Sequence, residues 1–156
     1  MDKFDREILS HLQINGRASF QEVGDAVGLS LSACHKRVKA LEKADVIERY
    51  AAIVNEEKVG LETSAYVQVR LKDQSQETLD AFEAQVITHP EIMGCVLMAG
   101  DWDYLIRILC NGVQDYERIH HDILTALPGV ERVNSSFALR TICRRTEVPL
   151  DLLEKN

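Results

Sequence analysis

The chain has 156 residues, enough for one ordinary domain or two small ones, and its 46% hydrophobic and 28% charged content is that of a folded globular protein with a real core. No run approaches the roughly 18 apolar residues of a membrane span, and Met1-Asp2-Lys3-Phe4-Asp5 is too charged to begin a secretory signal, so a cytoplasmic location is expected. The net charge of -7 is uneven: residues 1–50 carry eight basic and eight acidic side chains, residues 51–156 ten and seventeen, which leaves the first part able to face phosphate.

In chain order, Asp2 or Asp5 is placed to cap a first helix, along which Phe4, Ile8, Leu9 and Leu12 recur at helical spacing until Asn15-Gly16. Ser19-Phe20-Gln21-Glu22 is a capping box for a second helix, with Val23, Ala26 and Val27 inward and Gly28 as its stop. Ser30 caps a third helix in which Leu31, Cys34, Val38 and Leu41 are expected to face the core. Three short helices, the second ending in Gly just before the third begins, make a helix-turn-helix pattern. The run Val46 to Val54 alternates enough to predict a strand that serves as a connecting arm.

After Gly60 the pattern changes to period two. Ala65, Val67, Val69 and Leu71 predict one face of a strand, and Ser75 opens a helix with Leu79, Phe82 and Val86 inward. Strands are predicted over Ile92–Ala99 and Tyr104–Cys110, joined by Gly100-Asp101-Trp102-Asp103 as a hairpin turn. A further helix carries Val113, Tyr116, Ile119, Ile123 and Leu127, Pro128-Gly129 closes it, and a last strand is predicted over Val130–Ile142. The order βαββαβ implies an α+β, ferredoxin-like domain. The expected division is 1–50 for the helix-turn-helix, 51–62 for the linker and 63–156 for the second domain.

Two helices cover one face of a four-stranded sheet, yet the hairpin strands are apolar on both alternating sets: Ile92, Val96 and Met98 on one, Met93, Cys95, Leu97 and Ala99 on the other, with Ile106 and Ile108 opposed to Leu105 and Leu109. A second copy of the chain is the expected cover, so a homodimer is predicted.

Chemistry of catalytic type finds little support. Cys34, Cys95, Cys110 and Cys143 form no Cys-x-x-Cys pair, and His120 and His121 point to different helix faces. No Gly-rich phosphate loop or nucleophile elbow occurs. The chain is therefore read as a non-enzyme, with no metal and no cofactor.

The third helix, Ser30-Leu31-Ser32-Ala33-Cys34-His35-Lys36-Arg37-Val38-Lys39-Ala40-Leu41-Glu42, and the turn Ala99-Gly100-Asp101-Trp102-Asp103-Tyr104 together resemble the Lrp/AsnC family of feast/famine regulators. The likeness extends from Asp5-Arg6-Glu7-Ile8-Leu9 through Val27-Gly28-Leu29-Ser30 to Leu127-Pro128-Gly129-Val130 and Ser135-Ser136-Phe137. It implies a winged helix-turn-helix joined by a strand linker to a ligand-sensing domain. It also implies dimers that assemble further, often to octamers, and an amino-acid effector.

Removing the core positions from the third helix leaves Ser32, Ala33, His35, Lys36 and Lys39 on its exposed side, with Ser30 at its start. Lys36 and Lys39 suit phosphate or guanine edges, and Ser32 and His35 suit bases or backbone of double-stranded DNA. Arg37 lies between faces and suits either phosphate or an acid within the domain; Arg17, ahead of the second helix, is a further phosphate candidate. By resemblance the effector site lies between neighbouring dimers and draws on Met98, Gly100, Asp101, Trp102, Asp103 and Tyr104, with hydroxyls from Ser135 and Ser136. There, either carboxylate would hold an ammonium, and the turn amides a carboxylate.

Overall fold

The computed structural model describes residues 1–150 and 152. These form two compact units: residues 1–53 together with the chain from 142 onward, and residues 54–141. The return of the chain to the first unit differs from the expected division, in which everything after 62 belonged to the second domain. The side chain of Gln13 holds the returning segment by its backbone, accepting from the Val148 N–H at 2.6 Å and donating to the Val148 carbonyl at 3.2 Å. Leu150 packs on the helical core. The remainder of the expected domain end, 151 and 153–156, lies outside the described residues.

The helical unit comprises α1 (Lys3–Ile14), α2 (Phe20–Val27) and α3 (Leu31–Lys43). Each start follows from its cap. Asp2 and Ser19 form reciprocal capping boxes with Asp5 and Glu22, and the Ser30 hydroxyl accepts from the Ala33 N–H. Gly28, at φ 74°, ends α2 in the left-handed conformation that favours glycine. The core is Ile8, Leu9, Val23, Cys34, Val38 and Leu41. Two expected core positions lie elsewhere: Leu31, in the first turn of α3, is 49% exposed, and Ala26 is exposed. Gly24 takes the inward place on α2, because α3 and its preceding turn come so close that a Cβ there would stand 2.8 Å from the Leu29 carbonyl oxygen.

The strand predicted over Val46–Val54 does not form; these residues carry neither helix nor strand. A strand needs a neighbour to take its backbone groups, and the helical unit provides none. The Val46 and Ile47 N–H groups instead close the end of α3 on the Leu41 carbonyl, at 3.0 and 3.3 Å. The β-wing implied by the resemblance is accordingly absent among the described residues of this unit.

The second unit comprises β1 (Thr63–Leu71), α4 (Gln76–Val86), β2 (Ile92–Leu97), β3 (Tyr104–Cys110), α5 (Gly112–Asp122) and β4 (Val130–Phe137). The strands form one antiparallel sheet in the order β2-β3-β1-β4, the ferredoxin-like arrangement, with both helices on one face. Ala65, Val67, Val69, Ile106 and Ile108 meet Phe82, Val86, Tyr116 and Ile119 in its core. Val113, in the first turn of α5, stays exposed. The last strand stops at Phe137 rather than Ile142, since its one neighbour, β1, begins at Thr63 and offers no further partner after Ala138 N–H meets the Ser64 carbonyl.

A bulge between Ile92 and Gly94 shifts the pleat of β2. Ile92 therefore joins Cys95 against the core instead of sharing a face with Val96, as strict alternation predicted. The face without helices still carries apolar groups, among them Tyr66, 43% exposed, Val96, 54% exposed, and Leu105.

Candidate functional site

On the helical unit, the capped start of α3 presents Ser32, His35, Lys36 and Lys39 outward, with Ala33 half-buried between them. The Ser30 and Ser32 hydroxyls lie 3.3 Å apart. His35 meets the Phe20 ring edge-on at a centroid distance of 4.8 Å, and these two residues with Ser30, Leu31 and Ser32 line a groove of about 550 Å³. Leu31 and Phe20 were not among the predicted site residues. The groove is built across two helices, so periodicity on α3 alone does not reveal it.

The basic residues of this face differ in what holds them. Lys36 is exposed and has no ion pair among the described residues. Lys39 is drawn to Glu42 at 2.6 Å, and that hydrogen bond, ahead of the one from Tyr50, holds the Glu42 carboxyl below its usual range. Arg37 turns away from the exposed face: one Nη reaches Asp2 and Asp5, each at 2.8 Å, and its guanidinium lies over the Phe4 ring. Of the two roles its position allowed, the pairing within the domain is the one formed, and it ties α3 to the start of α1. Arg17 is exposed in the turn before α2.

On the sheet unit, the turn after β2 is shaped by Asp103. Its N–H donates to the Val69 carbonyl at 3.0 Å and its carbonyl accepts from Met98 N–H at 2.8 Å. Its carboxylate, 6% exposed, accepts from the Leu71 N–H at 2.7 Å and from the Gln74 side chain at 2.6 Å. This carboxylate is already engaged by donors of its own fold, so the expectation that either aspartate of the turn would serve a ligand narrows to Asp101, which is exposed. Tyr104 likewise faces the core: it stacks on Phe82 and donates to Glu83 at 2.7 Å, and burial, ahead of Glu83, pushes its phenol up.

Met98, Ala99, Asp101, Trp102 and Tyr104 line a cleft of about 200 Å³ together with Gln68 and Leu105, and Gly100, at φ 138°, lies in the same turn. Arg132 sits 5.6 Å from the centre of the Trp102 ring. The two serines separate: Ser135 accepts from the Tyr116 hydroxyl on the helix side, while Ser136 lies opposite Tyr66 on the other face. Neither lines the cleft. Gln68 and Leu105 were missed because each is an ordinary outward strand residue; only the pairing of β1 with β3 makes them partners beside the turn.

A helix-turn-helix unit joined to an α+β ligand-binding unit defines a class of transcriptional regulators. Residues 1–42 match the AsnC-type helix-turn-helix domain and residues 64–148 the Lrp/AsnC ligand binding domain. The chain belongs to the Lrp/AsnC family. It is 35% identical to the Bkd operon transcriptional regulator of Pseudomonas aeruginosa over 96% of this chain and 98% of that one. It is 33% identical to the DNA-binding transcriptional activator DecR of Escherichia coli K12 over 97% of this chain and 99% of the other. A crystal structure of a transcriptional regulator from Neisseria meningitidis in complex with L-Met superposes with a TM-score of 0.93 at 34% identity, covering 98% of this chain and 99% of that one. The protein is thus a transcriptional regulator with a DNA-binding helix-turn-helix, and its relatives are regulators rather than enzymes. No helix among the described residues is long and apolar enough to cross a membrane.

Proposed function

We propose that this regulator binds double-stranded DNA sequence-specifically through α3 and changes its assembly or DNA affinity when an α-amino acid occupies the cleft beside Asp101. The observation that carries the reading is the exposed, capped N-terminal half of α3, with Ser32, His35 and Lys36 outward and Cys34 and Val38 buried beneath. Ser32 and His35 are suited to base edges, Lys36 to phosphate or guanine, and Lys39 to phosphate at the cost of its bond to Glu42. Ser30 and Ala33 bring the backbone near, and Arg17 adds a phosphate contact; Arg37 acts within the fold instead.

For the effector, the exposed Asp101 carboxylate would hold the ammonium and the amides around Gly100 the carboxylate. The Neisseria regulator, with its bound L-Met, supports an amino acid as the chemical class. The apolar face bearing Tyr66, Val96 and Leu105 supports a homodimer, which the family resemblance extends to octamers working in the cytoplasm.

Footprinting of genomic fragments tests the DNA reading. Protected half-sites spaced by about one helical turn or multiples of it are expected; uniform coverage would make the protein an architectural one instead. Screening the twenty amino acids by thermal shift tests the effector, and sedimentation of Val96→Asp tests the dimer, which that charge is expected to break.

A further inference from the structure

Leu31 is a large apolar side chain that the core does not claim. Helical spacing groups it with Cys34, Val38 and Leu41, yet it stands 49% exposed in the first turn of α3, and among the described residues the helical core closes without it. Ser32, His35 and Lys36 share its exposure at the same end of the helix. His35 follows Leu31 by four positions, one turn further along the same side of α3. Phe20, the first residue of α2, packs on the core and meets the His35 ring edge-on, so that the starts of both helices line one groove, with Leu31 and Phe20 as its apolar walls.

This groove is continuous with the surface of the DNA-binding helix-turn-helix. Its polar rim is partly committed within the fold: the Ser30 hydroxyl accepts from the Ala33 N–H at 3.3 Å and lies 3.3 Å from the Ser32 hydroxyl. Exposed cations, Lys36 on α3 and Arg17 ahead of α2, suit the phosphates of a duplex laid against it. Leucine offers no hydrogen bond, so among the donors and acceptors of a major groove it only removes water from polar edges unless it meets an apolar group. The C5 methyl of thymine is such a group.

We propose that Leu31 selects thymine at one position of each half-site by contact with its C5 methyl in the major groove, with Phe20 completing the apolar pocket that receives it. The inference rests on the reading of α3 as the helix that recognises DNA. It is tested on a duplex carrying the half-sites protected in footprinting, with each thymine replaced singly by deoxyuridine. That change removes the methyl and keeps every hydrogen-bonding group.

Gel-shift titrations of the full-length protein are expected to show about a fourfold loss of affinity at one thymine per half-site, the scale of one methyl group taken out of water. Leu31→Ala is expected to bind the thymine and deoxyuridine duplexes equally at that position and to keep the wild-type salt slope, because no cation is removed. Its melt should match that of wild type, since the position is exposed and alanine suits a helix. Leu31→Gln, of similar reach with a polar end, should lose the same preference even where Leu31→Ala proves poorly folded. A deoxyuridine effect carried by DNA shape instead of contact would persist in both variants. That persistence, or a wild type indifferent to deoxyuridine at every position, overturns the role of Leu31 and leaves the half-site reading standing. Uniform footprints, or no binding to any fragment, overturn recognition by α3 and this inference with it.

Discussion

Asp2 and Glu22 of the helical unit and Asp103 of the sheet unit are carboxylates held in opposite ways. In the helical unit Asp2 and Glu22 stay at the surface, where each caps a helix, and Asp2 with Asp5 also meets Arg37. In the sheet unit Asp103 is buried and spends both oxygens on the end of β1 and the segment leading to α4. Surface caps and pairs make separate, modest contributions that water can replace in part. A buried carboxylate has no such substitute, so removing it strands its donors. The contrast implies that the DNA-facing unit tolerates single charge changes, whereas the turn beside the cleft depends on one residue for its shape.

The largest effect is expected at that residue. Asp103→Ala should lower stability by about 2 to 4 kcal/mol, by leaving the Leu71 N–H and its neighbour without partners, while Asp101→Ala should stay within about 0.5 kcal/mol. Thermal melts of the two variants measure this directly, and equal losses would erase the difference between buried and exposed aspartate. In ligand titrations Asp101→Ala should retain its fold and lose effector affinity.

A smaller effect separates two adjacent basic residues of α3. Arg37→Ala should lower the melting temperature slightly, since its two ion pairs are only partly shielded from solvent, and should leave the salt dependence of DNA binding unchanged. Lys36→Ala should leave the melt unchanged and reduce the salt slope by about one. A reduced slope for Arg37→Ala would return that residue to the DNA surface.

The smallest effects are in pH. The Asp5 amide, ahead of Arg37, holds the Asp2 carboxyl below its ordinary value of 3.8, and the Ser19 amide does the same for Glu22 below 4.5. Their folded values lie below the unfolded ones, so the stability they contribute is present above the ordinary carboxylate range and is lost as pH falls through the lowered values. Cys95 behaves inversely: burial, ahead of Glu83, pushes its thiol from 9.0 up to about 11, so its contribution is present below pH 9.0 and is lost as pH rises toward 11. Circular dichroism melts should show Asp2→Asn shifting the acid limb and Cys95→Ala softening the alkaline limb. An alkaline limb unchanged in Cys95→Ala would assign that loss to the buried tyrosines.

What the sequence determined by itself was whatever depends on neighbours within a few positions. The caps at Ser19 and Ser30, the stop at Gly28, the buried stripe Cys34-Val38-Leu41 and the inward row Ala65-Val67-Val69-Leu71 follow from helical and strand periodicity, and so does the exposure of Lys36. Only the tertiary structure decided the rest, because it depends on partners far along the chain. Arg37 was free to go either way until Asp2 and Asp5 came within reach, and Asp103 looked like its neighbour Asp101 until Leu71 and Gln74 claimed it. The run Val46–Val54 has strand composition and finds no strand to pair with. Gln68 became a wall of the cleft when β1 paired with β3, and β4 set Asn134 beside it.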